Sequence, residues 1–192
     1  MKRGFYINNN TVEFVSGFDG NFTEEICEKI EDYDTIGINN TEHKLINLPK
    51  HIKTIIVCGY NFPLDNLHDG LVELRYYGYD FLLDNLPSTL KKLQIPFGYK
   101  YPLNFLPDGL ETLHLPYNYS LSLKNLPSSI NEIKIIYDWT DNYYFVTDMV
   151  GIDKILPNLK IIKLKVVDNT THNLTTVREQ LKLDDKVKLE HY

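Results

Sequence analysis

The chain has 192 residues, 43% of them hydrophobic, and a formal net charge of −6 at pH 7, which fits one domain or a repeat array of similar mass. The acidic balance argues against a general nucleic-acid-binding protein, and no apolar run approaches the ~18 residues of a membrane span. Because we find no signal-peptide core near the start and only two cysteines, Cys27 and Cys58, we expect a reduced, cytoplasmic protein.

Residues 1–32 have the features of an N-terminal cap. FYINNNTVEFV, residues 5–15, predicts two strands joined by an Asn-rich turn. TEEICEKIEDY, residues 23–33, predicts a short helix with Thr23 as N-cap and acidic residues in its first turn. The apolar stripe of this helix consists of Ile26, Cys27 and Ile30. Such elements would cover one end of a repeat core.

One eleven-residue pattern recurs five times in the middle of the chain. Its clearest copy, NLPSTLKKLQI at 85–95, returns as NLPKHIKTIIV, NLHDGLVELRY, FLPDGLETLHL and NLPSSINEIKI. The leucine that precedes the proline position recurs at intervals of 19, 19, 20 and 20 residues: Leu48, Leu67, Leu86, Leu106 and Leu126. Tail-only copies at 33–38 and 159–164 bring the number of coils to about seven.

The spacing of this pattern predicts a solenoid. The tail L-x-x-L-x-I ends in an alternating pair, which is typical of a short strand with one buried face. A period near 20 residues is too short for a strand plus a full helix, so each coil should be a strand and an extended or 3₁₀ return. We therefore predict an α/β, mostly β, leucine-rich-repeat solenoid with parallel strands on its concave face, a hairpin/helix N-terminal cap and a helical C-terminal cap.

Two further columns accompany the repeat. Aromatic residues follow the strand in register: Tyr60, Tyr79 and Tyr99, then Phe62, Phe81 and Tyr101. An asparagine column precedes the L-P pair: Asn47, Asn66, Asn85 and Asn125. We expect these amides to bond turn backbone groups. The prolines suit the return segment, where no ladder N–H is needed: Pro49, Pro87, Pro107 and Pro127.

The repeat domain is assigned to 33–136, and 137–192 is assigned to an insertion, a last repeat and a C-terminal cap. In this last region we predict a helix over Asp148–Ile155 with Thr147 as its N-cap, and a second helix from 175. The second helix would bury Val177 and Leu181. KVKLEHY, residues 186–192, is predicted to close the fold as a last strand.

The combination of Y-N-F-P-L with L-P-x-x-L-x-x-L-x-I, over residues 45–136, resembles the FNIP repeat. This is a short leucine-rich-repeat variant known from social amoebae and from giant viruses of amoebae, so the resemblance implies such a source and, for a viral protein, the host cytoplasm. Viral members often carry an N-terminal F-box that recruits ubiquitin-ligase machinery. We recognise no F-box in residues 1–32.

The sequence offers no constellation for catalysis or metal binding. None of the six histidines has metal-ligand spacing to a second His or Cys, and stacking does not bring His51 and His68 together as a pair. Cys58 has Asn39 and Tyr77 at its position in the adjacent coils, and neither is a general base at neutral pH. We therefore expect no enzyme activity, no cofactor and no metal site.

The strand face is the candidate binding surface. Residues beside the inward pair of each strand form rows, and one row becomes basic in its second half inside an acidic protein. This suggests an acidic or phosphorylated ligand segment, while the alternative is an ordinary solvated surface with Glu73 and Lys92 paired across strands. The candidate partner-binding residues are Arg75, Tyr77, Lys92, Gln94, His114, Lys134 and Lys163.

An aromatic-rich insertion is the second candidate. Its side chains include Tyr137, Trp139, Tyr143 and Tyr144. Such residues dominate binding hot spots, but they also make good lids over an exposed solenoid end, and the lid is favoured.

These observations leave three hypotheses. The first is a monomeric, non-enzymatic scaffold that binds a protein or peptide, but no nucleic acid or membrane, on its concave face. The second, by family analogy, is a substrate-recognition subunit in ubiquitin-ligase recruitment. The third is a structural protein that associates with itself through exposed ends or sheet edges.

Overall fold

The computed structural model describes residues 4–78, 81–116, 118–137, 149–166 and 174–192. In these residues ten strands form one sheet in chain order. The strands are β1 Phe5–Asn8, β2 Thr11–Phe14, β3 Thr35–Asn39, β4 Thr54–Cys58, β5 Glu73–Tyr77, β6 Lys92–Gln94, β7 Thr112–Pro116, β8 Glu132–Tyr137, β9 Ile161–Val166 and β10 Lys188–His191. The helices are α1 Glu24–Lys29, α2 Ile152–Ile155 and α3 Leu174–Leu181.

The sheet forms a mostly-β solenoid, as predicted. β1 and β2 pair antiparallel, and each later strand pairs parallel with the next. In the described part of the chain, the seven strands β3 to β9 are joined by six connections, so the solenoid makes about six turns and not seven. The predicted number of coils is larger by one because each copy of the repeat tail was counted as a coil. A full turn of the solenoid needs a strand and also the return segment that leads to the next strand.

The inward columns of the strands are buried, whereas the leucine column before the prolines is only partly buried at Leu48, Leu67 and Leu86. Each strand from β3 to β9 contributes two inward side chains that are at most 4% exposed, if Ile95, directly after the end of β6, is counted with it. These are Ile36 and Ile38, Ile55 and Val57, Leu74 and Tyr76, Leu93 and Ile95, Leu113 and Leu115, Ile133 and Ile135, and Ile162 and Leu164. They belong to one continuous apolar cluster. Since no single coil could bury both its strand face and its return, the stack supplies the hydrophobic stabilisation that each coil lacks.

The hairpin and the helix predicted for the N-terminal region are present, but the helix is shorter than the predicted segment 23–33. β1 and β2 form the hairpin, and Asn9 and Asn10 turn the chain with positive φ values of 43° and 66°, which asparagine tolerates better than most residues. The α1 helix begins after Thr23, whose hydroxyl accepts a bond from the Ile26 backbone N–H at 3.4 Å. Ile30 is fully buried at its C-terminal end.

The four prolines lie outside the strands, as predicted. Each proline carbonyl accepts a bond from the backbone N–H three residues later, for example Leu90 N to Pro87 O at 3.1 Å. The chain then enters the next strand through two N–H groups that share one carbonyl of the preceding coil, as Lys91 and Lys92 share Val72 O. The turn is thus satisfied by backbone groups of two coils.

The role predicted for the asparagine column is wrong. The described bonds of this column go to side chains: Asn47 donates to Asn21 Oδ1 at 2.9 Å, and Asn125 donates to Asn104 Oδ1 at 2.9 Å. Amides on the surface of a turn reach one another more easily than backbone groups that the turn has already paired. Asn47 has a further reason to be asparagine, since its φ is 59°.

Buried tyrosines perform part of the role that was assigned to asparagine. The Tyr60 hydroxyl accepts a bond from the Leu45 backbone N–H at 3.0 Å. The Tyr119 hydroxyl donates to Tyr101 O at 3.1 Å, and burial raises the pKa of Tyr119 to about 12. These phenols cross from the strand end to the return segment and satisfy backbone groups that water does not reach.

The C-terminal region follows the prediction in part. α3 buries Val177 and Leu181, and β10 closes the sheet beside β9, as expected. The helix predicted over Asp148–Ile155 is shorter, because Gly151 adopts a left-handed φ of 73° and α2 begins only after it. Thr147 and Asp148 lie outside the described residues, and Gly151 stands at the N-cap without a side-chain bond.

Candidate functional site

The side of the sheet opposite the core, called the open face below, carries the candidate residues of the first row. Strand register places them side by side in the order Gly37, Ile56, Arg75, Gln94, His114, Lys134 and Lys163. A second row contains Glu73, Lys92 and Glu132, and a third contains Cys58 and Tyr77. Neighbouring members are therefore about 4.8 Å apart along each row.

At the N-terminal end the open face is closed by Glu13 of β2. A Cβ atom on Gly37 would lie 2.1 Å from Glu13 Oε2, so the carboxylate occupies the space above this glycine. The same carboxylate accepts a bond from Asn39 Nδ2 at 2.7 Å. Gly37 therefore makes room for the Glu13 carboxylate, and it has no side chain that could contact a ligand.

Glu73 of β5 holds two cations of the open face. Arg75 Nε donates to Glu73 Oε1, and Lys92 Nζ lies 3.8 Å from Glu73 Oε2. The pair between Glu73 and Lys92, which is also expected of an ordinary solvated surface, is therefore present. The Glu73 carboxylate thus contacts both cations, although ion pairs with such exposed partners add little to stability.

Glu132 of β8 organises a second cluster. Its Oε1 lies 2.9 Å from Lys163 Nζ and 3.7 Å from Lys134 Nζ. Burial alone would raise the pKa of Glu132, but the Lys163 hydrogen bond and the Lys134 charge outweigh it and lower that pKa. Lys163 also lies 3.7 Å from Glu190 Oε1, and Glu190 pairs with Lys188, so the network continues into β10.

His114 lies between the two clusters as a neutral side chain. Burial, with smaller contributions from the Lys134 and Arg75 charges, lowers its pKa to about 4, although the Glu73 and Glu132 charges act in the opposite direction. Gln94, its neighbour on β6, is only 8% exposed. The centre of the open face therefore presents neutral polar side chains with cations on both sides.

The open face from β5 to β10 has a positive excess. Its outward positions hold six positive side chains, namely Arg75, Lys92, Lys134, Lys163, Lys165 and Lys188. They hold three negative ones, namely Glu73, Glu132 and Glu190. With His114 neutral, this surface carries a formal charge of +3 on a chain whose net charge is −6. Because the positive side chains outnumber the negative ones, this surface attracts an anion even though its cations form ion pairs.

Aromatic side chains stand beside the cations. Tyr77 is 47% exposed at the end of β5, and Lys134 Nζ lies 5.6 Å from the ring centre of Tyr192. Burial raises the pKa of Tyr192, and Glu132 and Tyr77 contribute to the rise. The sequence prediction did not include Tyr192 or Glu190, because their positions depend on the register of β10.

Trp139, Tyr143 and Tyr144 lie outside the described residues, which include Tyr137 only as the last backbone position of β8. His51 Nε2 contacts Ile30 O at 3.2 Å, and His68 Nδ1 accepts from Gly70 N at 2.9 Å, so each is engaged with a turn backbone.

In the described ranges, no group of three or more His, Cys, Asp or Glu side chains is placed to hold a metal ion. Cys58 is exposed as a free thiol, and burial raises the pKa of Cys27. No helix in the same ranges has both the length and the hydropathy of a membrane span. No family model, curated protein or solved structure matches the chain.

Proposed function

We propose that this protein is a non-enzymatic interaction scaffold that binds an acidic or phosphorylated segment of another protein on its open face. The observation that carries the proposal is the formal charge of +3 across β5 to β10 on a chain of net charge −6. Charge complementarity of this kind directs association and selects partners by sign.

The ion-pair clusters make this surface suitable for an anion. Glu73 and Glu132 each contact two cations, so the positive side chains are grouped on neighbouring strands that one ligand segment can cross. His114 supplies a neutral polar group at the centre, next to the nearly buried Gln94, without an additional negative charge. The ligand then adds charge-assisted hydrogen bonds to these cations.

The family proposal rests on the repeat itself. We propose a leucine-rich-repeat protein of the FNIP type, built from coils of 19–20 residues and acting in the cytoplasm. Support comes from the leucine columns, which recur at those intervals in the sequence and are buried at Leu71, Leu90 and Leu110. Proteins built from stacked repeats commonly bind partners on the strand face.

A double charge reversal tests the function. Arg75→Glu with Lys134→Glu inverts the sign at the centre of the open face, and we expect partner capture from the cells that make the protein to fall by at least about tenfold. Lys50→Glu with Lys124→Glu is the matched control, because both lysines are exposed and lie outside the strands. Circular dichroism checks that both variants fold. Equal capture by the two variants would contradict the proposal.

A further inference from the structure

The coil after β6 contains one residue more than the two coils before it. A glycine with positive φ precedes the aromatic column in each case, at 64° for Gly59, 72° for Gly78 and 75° for Gly98. Gly59 lies two positions after the inward residue Val57, whereas Gly98 lies three positions after Ile95. The additional residue is therefore Phe97.

The Phe97 side chain is exposed to solvent. Tyr99 N donates to Pro96 O at 3.3 Å, which closes a four-residue turn with Phe97 inside it. Pro96 and Tyr99 are buried, but Phe97 is 66% exposed. The turn therefore leaves about two thirds of the Phe97 side chain accessible to solvent.

The turn lies at the edge of the basic row. Continuing the β5–β6 register beyond the Arg75–Gln94 pair places Pro96 beside Tyr77, which is 47% exposed. Tyr77 and Pro96 are therefore one strand spacing of about 4.8 Å apart at the carboxyl ends of these strands, and Phe97 follows Pro96 directly in the chain. In this arrangement the aromatic residues can contact an apolar side chain of a ligand, while the neighbouring cations contact its acidic side chains.

We propose that the ligand of the open face is an extended acidic segment with at least one apolar side chain, and that Tyr77 and Phe97 anchor this apolar side chain while Arg75 and Lys134 receive its carboxylates. This inference rests on the proposed function and adds the anchor. The excess of positive charge selects an acidic occupant. Exposed aromatic residues beside a polar network are the usual energetic centres of such interfaces.

Synthetic peptides and a matched phenylalanine test the inference. Fluorescent peptides of about ten residues, alternating Glu with Leu or Glu with Ser, reach about 33 Å when extended and can cross six strands. We expect Phe97→Ser to weaken binding of the Glu/Leu peptide about tenfold, as measured by fluorescence anisotropy, and to leave the Glu/Ser peptide unaffected. Phe105→Ser is the control, because Phe105 is 65% exposed but precedes the L-P position of the return.

The outcomes separate the two proposals. Arg75→Gln with Lys134→Gln should weaken both acidic peptides, and binding that this variant does not change contradicts the proposed function. If the charge variant weakens binding but Phe97→Ser does not, the anchor is wrong while the acidic ligand stands. Equal loss in Phe105→Ser, tight binding of a Lys/Leu peptide, or no binding of the Glu/Leu peptide would each overturn the inference.

Discussion

At the scale of single residues, the neutral state of His114 is the clearest consequence of how the open face is packed. Burial together with the Lys134 and Arg75 charges lowers its pKa to about 4. The unfolded value is about 6.5. Because the unfolded chain then binds this proton more tightly, the fold loses stability as the pH falls from about 6.5 to about 4, and the residue has no such effect above that window.

The electrostatic part of this shift can be tested directly. Lys134→Gln removes a neighbouring positive charge, so we expect the His114 pKa to rise, whereas Glu132→Gln removes a negative charge and should lower it. Proton NMR titration of the imidazole measures both changes. Lys50→Gln, outside the strands, serves as the control and should leave the titration unchanged. An imidazole that titrates near 6.5 in the unaltered protein would contradict this description of the site.

At the scale of the elements, tyrosine hydroxyls link strand ends to return segments. Tyr60→Phe keeps the buried ring but leaves the Leu45 N–H without its acceptor, so we expect the free energy of unfolding to fall by about 1–3 kcal/mol. Tyr6→Phe is the control, because Tyr6 is half-exposed on β1 and should change stability by less than about 0.5 kcal/mol. Urea denaturation measures both values, and a neutral Tyr60→Phe would remove the proposed structural role.

Elements with strong periodicity could be predicted from the sequence, and the others could not. The alternation at Leu93 and Ile95 gives the β6 strand, and Thr23 with two following glutamates gives the start of α1. The start of α2 depends on the left-handed φ of Gly151, which composition does not specify. The partners of Asn47 and Asn125 depend on which side chain of the preceding segment lies within reach, and the repeat pattern does not specify that distance.

At the scale of the whole molecule, charge is separated between surfaces. The chain has a net charge of −6, yet β5 to β10 present a positive open face. The rows of this face follow from the repeat register and were predicted, including Arg75 and Lys134. The ion pairs of these cations with Glu73 and Glu132 were not predicted, because they depend on side-chain rotamers. The pair between Glu73 and Lys92 is the exception, since it was considered from the sequence. The turn around Phe97 could have been found from the change in repeat length from 19 to 20 residues.

Backbone amide NMR of the protein during titration with the Glu/Leu peptide tests the binding of an acidic segment most directly. Binding on the open face should shift the amide signals of β5 to β8 and of the 96–99 turn, and it should leave α1 and the return segment at 101–106 unchanged. The Arg75→Gln, Lys134→Gln variant should lose these shifts. Shifts concentrated on the return segments, or identical shifts in the variant, would contradict binding at the open face.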